Sequence, residues 1–90
     1  MAKTMTVWAV DWLEFEEGFG PRPDGSSLHL TLKKAIRYMG EEIRRYTGIH
    51  TSDPDGTPYK IDVPVHVYDE IINAGGNLRV ERHFDQLLLR

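Results

Sequence analysis

The side chains able to carry chemistry in this chain are its four histidines and a few hydroxyls. Cysteine is absent, and with it thiol nucleophiles, disulfides and cysteine-ligated zinc or iron–sulfur centres. The sharpest grouping is Ser27-Leu28-His29-Leu30-Thr31-Leu32. An imidazole changes charge near neutral pH and can act as general acid or base, which makes His29 and Thr31 the candidate catalytic pair. His50-Thr51-Ser52, His66-Val67-Tyr68 and His83-Phe84-Asp85 do not repeat the pattern. Nor do the histidines show the short helical spacing of a zinc pair. Asp53, Asp55 and Gly56 match part of a calcium loop, but the third acidic position and the closing glutamate are missing, so neither metal nor cofactor is expected. Ser26, Ser27 and Ser52 lie beside turns without a nucleophile-elbow pattern. Gly18-Phe19-Gly20-Pro21 is not a phosphate loop, because its proline removes an amide donor and no lysine–serine pair follows.

His29-Leu30-Thr31 resembles the histidine–x–threonine signature of the two-histidine phosphoesterases. That resemblance is confined to residues 27–32. It implies an enzyme that uses two such motifs, one from each half of the fold, to hold a phosphate and shuttle protons. At the corresponding second position this chain reads Lys60-Ile61-Asp62, and the family needs a longer chain. Only a homodimer supplies two copies of His29 and Thr31. One functional reading is therefore a dimeric phosphoesterase or nucleotide-binding protein.

The elements that must position these residues follow from patterning. Residues 4–13 are rich in β-branched and aromatic side chains, with Val7, Ala9 and Leu13 on one face and Trp8, Val10 and Trp12 on the other. Both faces are apolar, which predicts a central strand covered on at least one side. Residues 14–25 collect glutamates, glycines and prolines and read as a long acidic loop ending in a Pro-Asp-Gly turn, followed by a strand over 26–30. Thr31 is the expected N-cap of a helix whose Leu32, Ala35, Ile36, Met39, Ile43 and Tyr46 make one apolar stripe. Gly48 is its expected stop, and Gly40 within it suggests close packing. Residues 51–58 read as a second turn region. A strand over 59–63 precedes a short helix begun by Pro64 and ended by Gly75-Gly76, and a last strand starts at Asn77. Leu87-Leu88-Leu89 gives residues 84–90 the character of an apolar tail that packs on something.

Pro23-Asp24-Gly25 and Pro54-Asp55-Gly56 each lead into a strand and then a helix, and Leu28, Leu30 and Leu32 align with Tyr59, Ile61 and Val63. Asp-Gly turns commonly precede strands. The pattern still supports a β-β-α-β-α-β order. With 90 residues, 10.4 kDa and 40% hydrophobic content, the expectation is one α+β domain spanning 1–90. Its sheet, antiparallel or mixed, would have about four strands, with two helices packed on one face. A domain of this size has a thin core, so dimerisation would be unsurprising.

The net charge of −3 argues against bulk attraction to nucleic acid. Residues 31–48 nevertheless carry +3, from Lys33, Lys34, Arg37, Arg44 and Arg45 against Glu41 and Glu42. A helix so charged is a solvated face or a docking surface for an acidic partner. In the 14–25 segment, Phe19 with Arg22 is either a lid folded back on the core or an exposed anchor of the kind that dominates interfaces, flanked by Glu16 and Glu17. No apolar run approaches a membrane span, and the N-terminus lacks the apolar stretch of a signal peptide. The expected location is the cytoplasm.

The run Glu16-Glu17-Gly18-Phe19-Gly20-Pro21-Arg22-Pro23-Asp24-Gly25-Ser26-Ser27-Leu28-His29-Leu30-Thr31 resembles small uncharacterised accessory proteins of bacteriophages and mobile elements. Pro54-Asp55-Gly56-Thr57-Pro58-Tyr59 and Gly76-Asn77-Leu78-Arg79-Val80 are similar to that group as well. The resemblance spans residues 4–80 and implies a setting, the bacterial host cytoplasm, but no established activity. Such proteins often inhibit host enzymes or defence systems by stoichiometric binding, anti-CRISPR proteins among them. The leading reading is a non-enzymatic accessory protein that binds a host protein or complex, with Phe19, Arg22, Glu16, Glu17, Lys33, Lys34, Arg37 and Arg44 as contact residues. A small homo-oligomeric assembly protein is the third reading.

Overall fold

A thirteen-residue strand, β1 (Thr4–Glu16), organises the molecule. The computed structural model describes residues 3–16, 18–45 and 50–80. Along the chain follow β2 (Phe19–His29), α1 (Leu32–Arg45), β3 (His50–Pro54), β4 (Tyr59–Pro64), α2 (Val65–Asn73) and β5 (Asn77–Val80). Every strand pairing is antiparallel. β2 lies along one edge of β1, and β5 adds outside it. On the other edge β4 pairs with the first half of β1 and β3 with the second, end to end. The α+β class is as the sequence indicates, with five strands instead of about four.

The additional strand, β3, lies where a turn was expected. His50-Thr51-Ser52-Asp53-Pro54 has no apolar alternation, and its strand character comes from pairing with Trp12–Glu16 of β1. Residues 14–25 also differ from expectation: they form the continuation of the β1–β2 hairpin, not a loop. Leu13 pairs with Pro23, Glu14 with Arg22 and Glu16 with Phe19, and register shifts absorb the extra residues on the β2 side. β5 covers only Ser26–His29 of β2. The outer edge of β2 beyond that point has no strand neighbour among the described residues, so Pro21 and Pro23 cost no ladder bond there.

The two helices lie on opposite faces of the sheet, not on one. Side chains alternate along a strand, and β1 is apolar on both sides. Val7 and Ala9 pack with Leu28, Val63 and the α2 residues Val67 and Ile71, all at most 2% exposed. Val10 and Trp12 pack on the other side with Ala35, Tyr38 and Met39 of α1. Each fully buried aliphatic side chain of this kind contributes about 1.5–3 kcal/mol of transfer free energy.

The two Pro-Asp-Gly segments do not account for this placement. Leu28 and Tyr59, which the internal alignment equates, both pair with Ala9, one on each edge of β1. Their side chains therefore lie on the same face of the sheet, that of α2, whereas a half-turn about the β1 axis would put them on opposite faces. Gly25 (φ 77°), at the register shift within β2, and Gly56 (φ 93°), just before β4, each take the left-handed backbone that glycine allows.

The helix boundaries obey their local signals. Thr31 Oγ1 accepts the Lys34 amide at 3.1 Å, the expected N-cap bond. Pro64 (φ −59°, ψ 153°) stands one place before the expected one, as the N-cap that ends β4, and α2 begins at Val65. At its end the Gly76 and Gly75 amides donate to the carbonyls of Ile71 (2.9 Å) and Ile72 (3.0 Å), a Schellman arrangement requiring the left-handed glycine at 75. The apolar stripe of α1 is split. Ala35 and Met39 face the sheet, whereas Leu32, Ile36 and Ile43 are 39%, 57% and 45% exposed. Gly40 meets no neighbouring atom within 4 Å of where a Cβ would stand, so it serves no close packing within the fold. Gly48 and residues 84–90 lie outside the described residues.

Candidate functional site

The face of the sheet under α1 holds a polar network that the face under α2 lacks. Ser27 and His29, two apart on β2, point to the same side, and both are fully buried. His29 is paired in register with Asn77 at the start of β5. Its Nδ1 lies 2.7 Å from Asn77 Oδ1 and its Nε2 lies 2.8 Å from Ser27 Oγ. The Trp12 indole N–H donates to that same Oγ at 2.8 Å.

Donor and acceptor roles follow in sequence. An amide oxygen only accepts, so His29 Nδ1 carries the proton. Burial lowers the His29 pKa from its ordinary 6.5, an effect the Asn77 hydrogen bond partly opposes, so the ring is neutral at pH 7. Nε2 then accepts, and the Ser27 hydroxyl donates to it while accepting from Trp12. The donors run one way, from Trp12 through Ser27 and His29 to Asn77. Tyr38 of α1 closes the network, its ring 4.9 Å from His29 and 5.9 Å from Trp12, centroid to centroid.

Serine, histidine and asparagine in this order have the connectivity of a nucleophile, base and orienting group. Here Ser27 and His29 have no exposed surface, and every polar atom of the ring and hydroxyl is engaged. The network stabilises the fold and offers a reactant no approach. Thr31 does not join His29: its side chain caps α1 at the surface. The two residues of the histidine–x–threonine signature therefore occupy separate environments.

Beyond Asn77 the network meets a cleft of about 460 Å³ between α1 and β5. Thr31, Lys33, Lys34 and Arg37 line it together with Tyr38, Glu41 and Asn77. Glu41 Oε1 lies 3.6 Å from Arg37 Nε, in a pair exposed enough to contribute little. On the sheet side, Arg79 binds Asp24 Oδ2 at 2.8 Å and its guanidinium lies 4.7 Å from the Trp12 ring.

Of the contact residues expected from sequence, Lys33, Lys34 and Arg37 converge on this cleft. Arg22 lies elsewhere, on the hairpin, 3.6 Å from Glu14 across the strand pair. The backbones of Glu16 and Phe19 pair with each other near the hairpin turn. Their side chains, that of Arg44, and all of Glu17 lie outside the described residues. Sequence reasoning missed Trp12, Ser27, Tyr38 and Asn77 as site residues. The signal available was Ser-x-His on a strand, which puts both side chains on one face; Asn77, 48 residues from His29, had none.

Among the described residues no group of three or more histidine or acidic side chains could hold a metal ion, and no helix is long and apolar enough to cross a membrane. Searches against protein-family models, curated proteins and solved structures gave no match.

Proposed function

We propose that this is a non-enzymatic protein-binding protein that uses the outer face of α1 to dock an acidic partner with apolar anchors. The observation that carries the reading is the exposure of Leu32, Ile36 and Ile43. At their spacing on a helix they form one arc, and Lys33 and Arg37 continue it. Three large apolar side chains left in water beside a cationic strip form a surface suited to a partner, aliphatic at its centre and charged at its rim. The closure of His29 and Ser27 supports binding over turnover. In the setting implied by the bacteriophage resemblance, the partner is a protein of a host defence complex, and the effect is stoichiometric inhibition.

Affinity capture from a bacterial host lysate tests this with three proteins: wild type, Ile36→Asp and Arg37→Glu. The expected result is one partner held stoichiometrically by the wild type, lost with Ile36→Asp and weakened with Arg37→Glu, the latter more at high salt. Retention that is indifferent to both substitutions overturns the assignment of α1.

A further inference from the structure

We infer that the cleft between α1 and β5 is a receptor for a phosphate monoester, a site beside the apolar arc of α1 that shares Lys33 and Arg37 with the partner-docking face but none of Leu32, Ile36 and Ile43. The donor order of the buried network carries the inference. Because Asn77 Oδ1 is taken by His29, the Asn77 Nδ2 amide group is the donor end left to the cleft it lines. Thr31 Oγ1 accepts the Lys34 amide, which leaves the hydroxyl proton free to donate outward. Lys33, Lys34 and Arg37 add cationic donors. Apart from the carboxylate of Glu41, the polar side chains lining the cleft present donors. Three cations against Glu41 give a local charge of +2, matching the −1.5 to −2 that a phosphate monoester carries near pH 7.

Lys34 is placed, not merely nearby. Its stem lies across Gly76, where a Cβ would stand 2.9 Å from Cε, 3.0 Å from Cδ and 3.2 Å from Nζ. Gly76 also accepts the Leu30 amide through its carbonyl at 3.1 Å. The Schellman turn after α2 thus makes a floor without a side chain, on which the Lys34 ammonium comes up beside Asn77. A volume of about 460 Å³ exceeds what a lone inorganic anion fills, so the phosphate arrives on a larger group.

The test is NMR titration of the full chain with AMP and with O-phosphoserine, with acetate as the monoanion control, following the Asn77 side-chain amide and the Lys34 backbone amide. Saturable shifts at both positions with a phosphate monoester and none with acetate are expected. Asn77→Asp keeps an oxygen for His29 but replaces the outward amide with a carboxylate, and should weaken binding about tenfold or more. Lys34→Gln, at a partly exposed position, should do the same without touching the network. Tighter binding of AMP identifies a nucleotide as the source of the phosphate, whereas tighter binding of O-phosphoserine identifies a phosphorylated protein. Shifts that appear equally with acetate, or binding unchanged in both variants, overturn the site. Ile36→Asp should leave the titration intact while abolishing partner capture, so the two proposals fail separately.

Discussion

The units β2–α1 and β4–α2 stand on opposite edges of β1 and both pair with Ala9, yet their helices bury different things. Under α2 the contacts are aliphatic: Val67 and Ile71 on Val7, Ala9, Leu28 and Val63. Under α1, Ala35 meets Val10 and Trp12, and the remaining space goes to His29, Ser27 and Tyr38. The apolar residues left over on α1 face outward. On α2 one large apolar side chain, Ile72, is left in water, at 47% exposure. α1, packed through Ala35, Tyr38 and Met39 beside the polar network, leaves three, Leu32, Ile36 and Ile43. On the proposed reading, the comparison separates a side of the sheet that maintains the fold from a side that would meet other molecules.

Substitution of Ile71 by alanine should produce the largest effect. It removes a fully buried side chain from the α2 side and should lower unfolding free energy by about 2–5 kcal/mol in chemical denaturation. The folded fraction should keep its phosphate titration unchanged. A loss of both would show that the two sides are not separable.

Next comes the network. Ser27→Ala strips the partner from the Trp12 indole N–H and from His29 Nε2 together. Leaving buried groups unsatisfied should cost about 1–3 kcal/mol, less than the loss of Ile71.

The pH dependence is a subtler mark of the same side. His29 is harder to protonate in the folded chain than in the unfolded one, whose value is near 6.5. Above that value its contribution to stability is complete. As pH falls through and below 6.5 the unfolded state takes up a proton that the folded state refuses, and stability declines toward the lowered folded value. Denaturation midpoints measured across this range should fall for the wild type and flatten for His29→Gln.

Much of this architecture is legible from particular residues. Thr31 caps α1, Pro64 and Gly75-Gly76 bound α2, and the two apolar faces of residues 7–12 mark a central strand covered on at least one side. The 31-residue spacing of the Pro-Asp-Gly segments does not correspond to equivalent turns, because the first lies within β2. Other features depend on partners distant in sequence. The Gly- and Pro-rich hairpin reads as loop because turn residues outnumber strand formers, and backbone pairing with β1 overrides them. The apolar arc of α1 is wider than the sheet beneath it can cover, so spacing marks the stripe but not which half is buried. His29 is conspicuous, but its role depends on Asn77, brought beside it only by the β2–β5 pairing.

The most direct measurement of the division between the two sides is chemical denaturation of Ile36→Asp at two protein concentrations. Ile36 is more than half exposed on α1, and the expected result is a stability within about 0.5 kcal/mol of wild type, independent of concentration. A loss of about 2 kcal/mol or more would mean that Ile36 belongs to the core, and would contradict the assignment of the α1 face as the side free to bind.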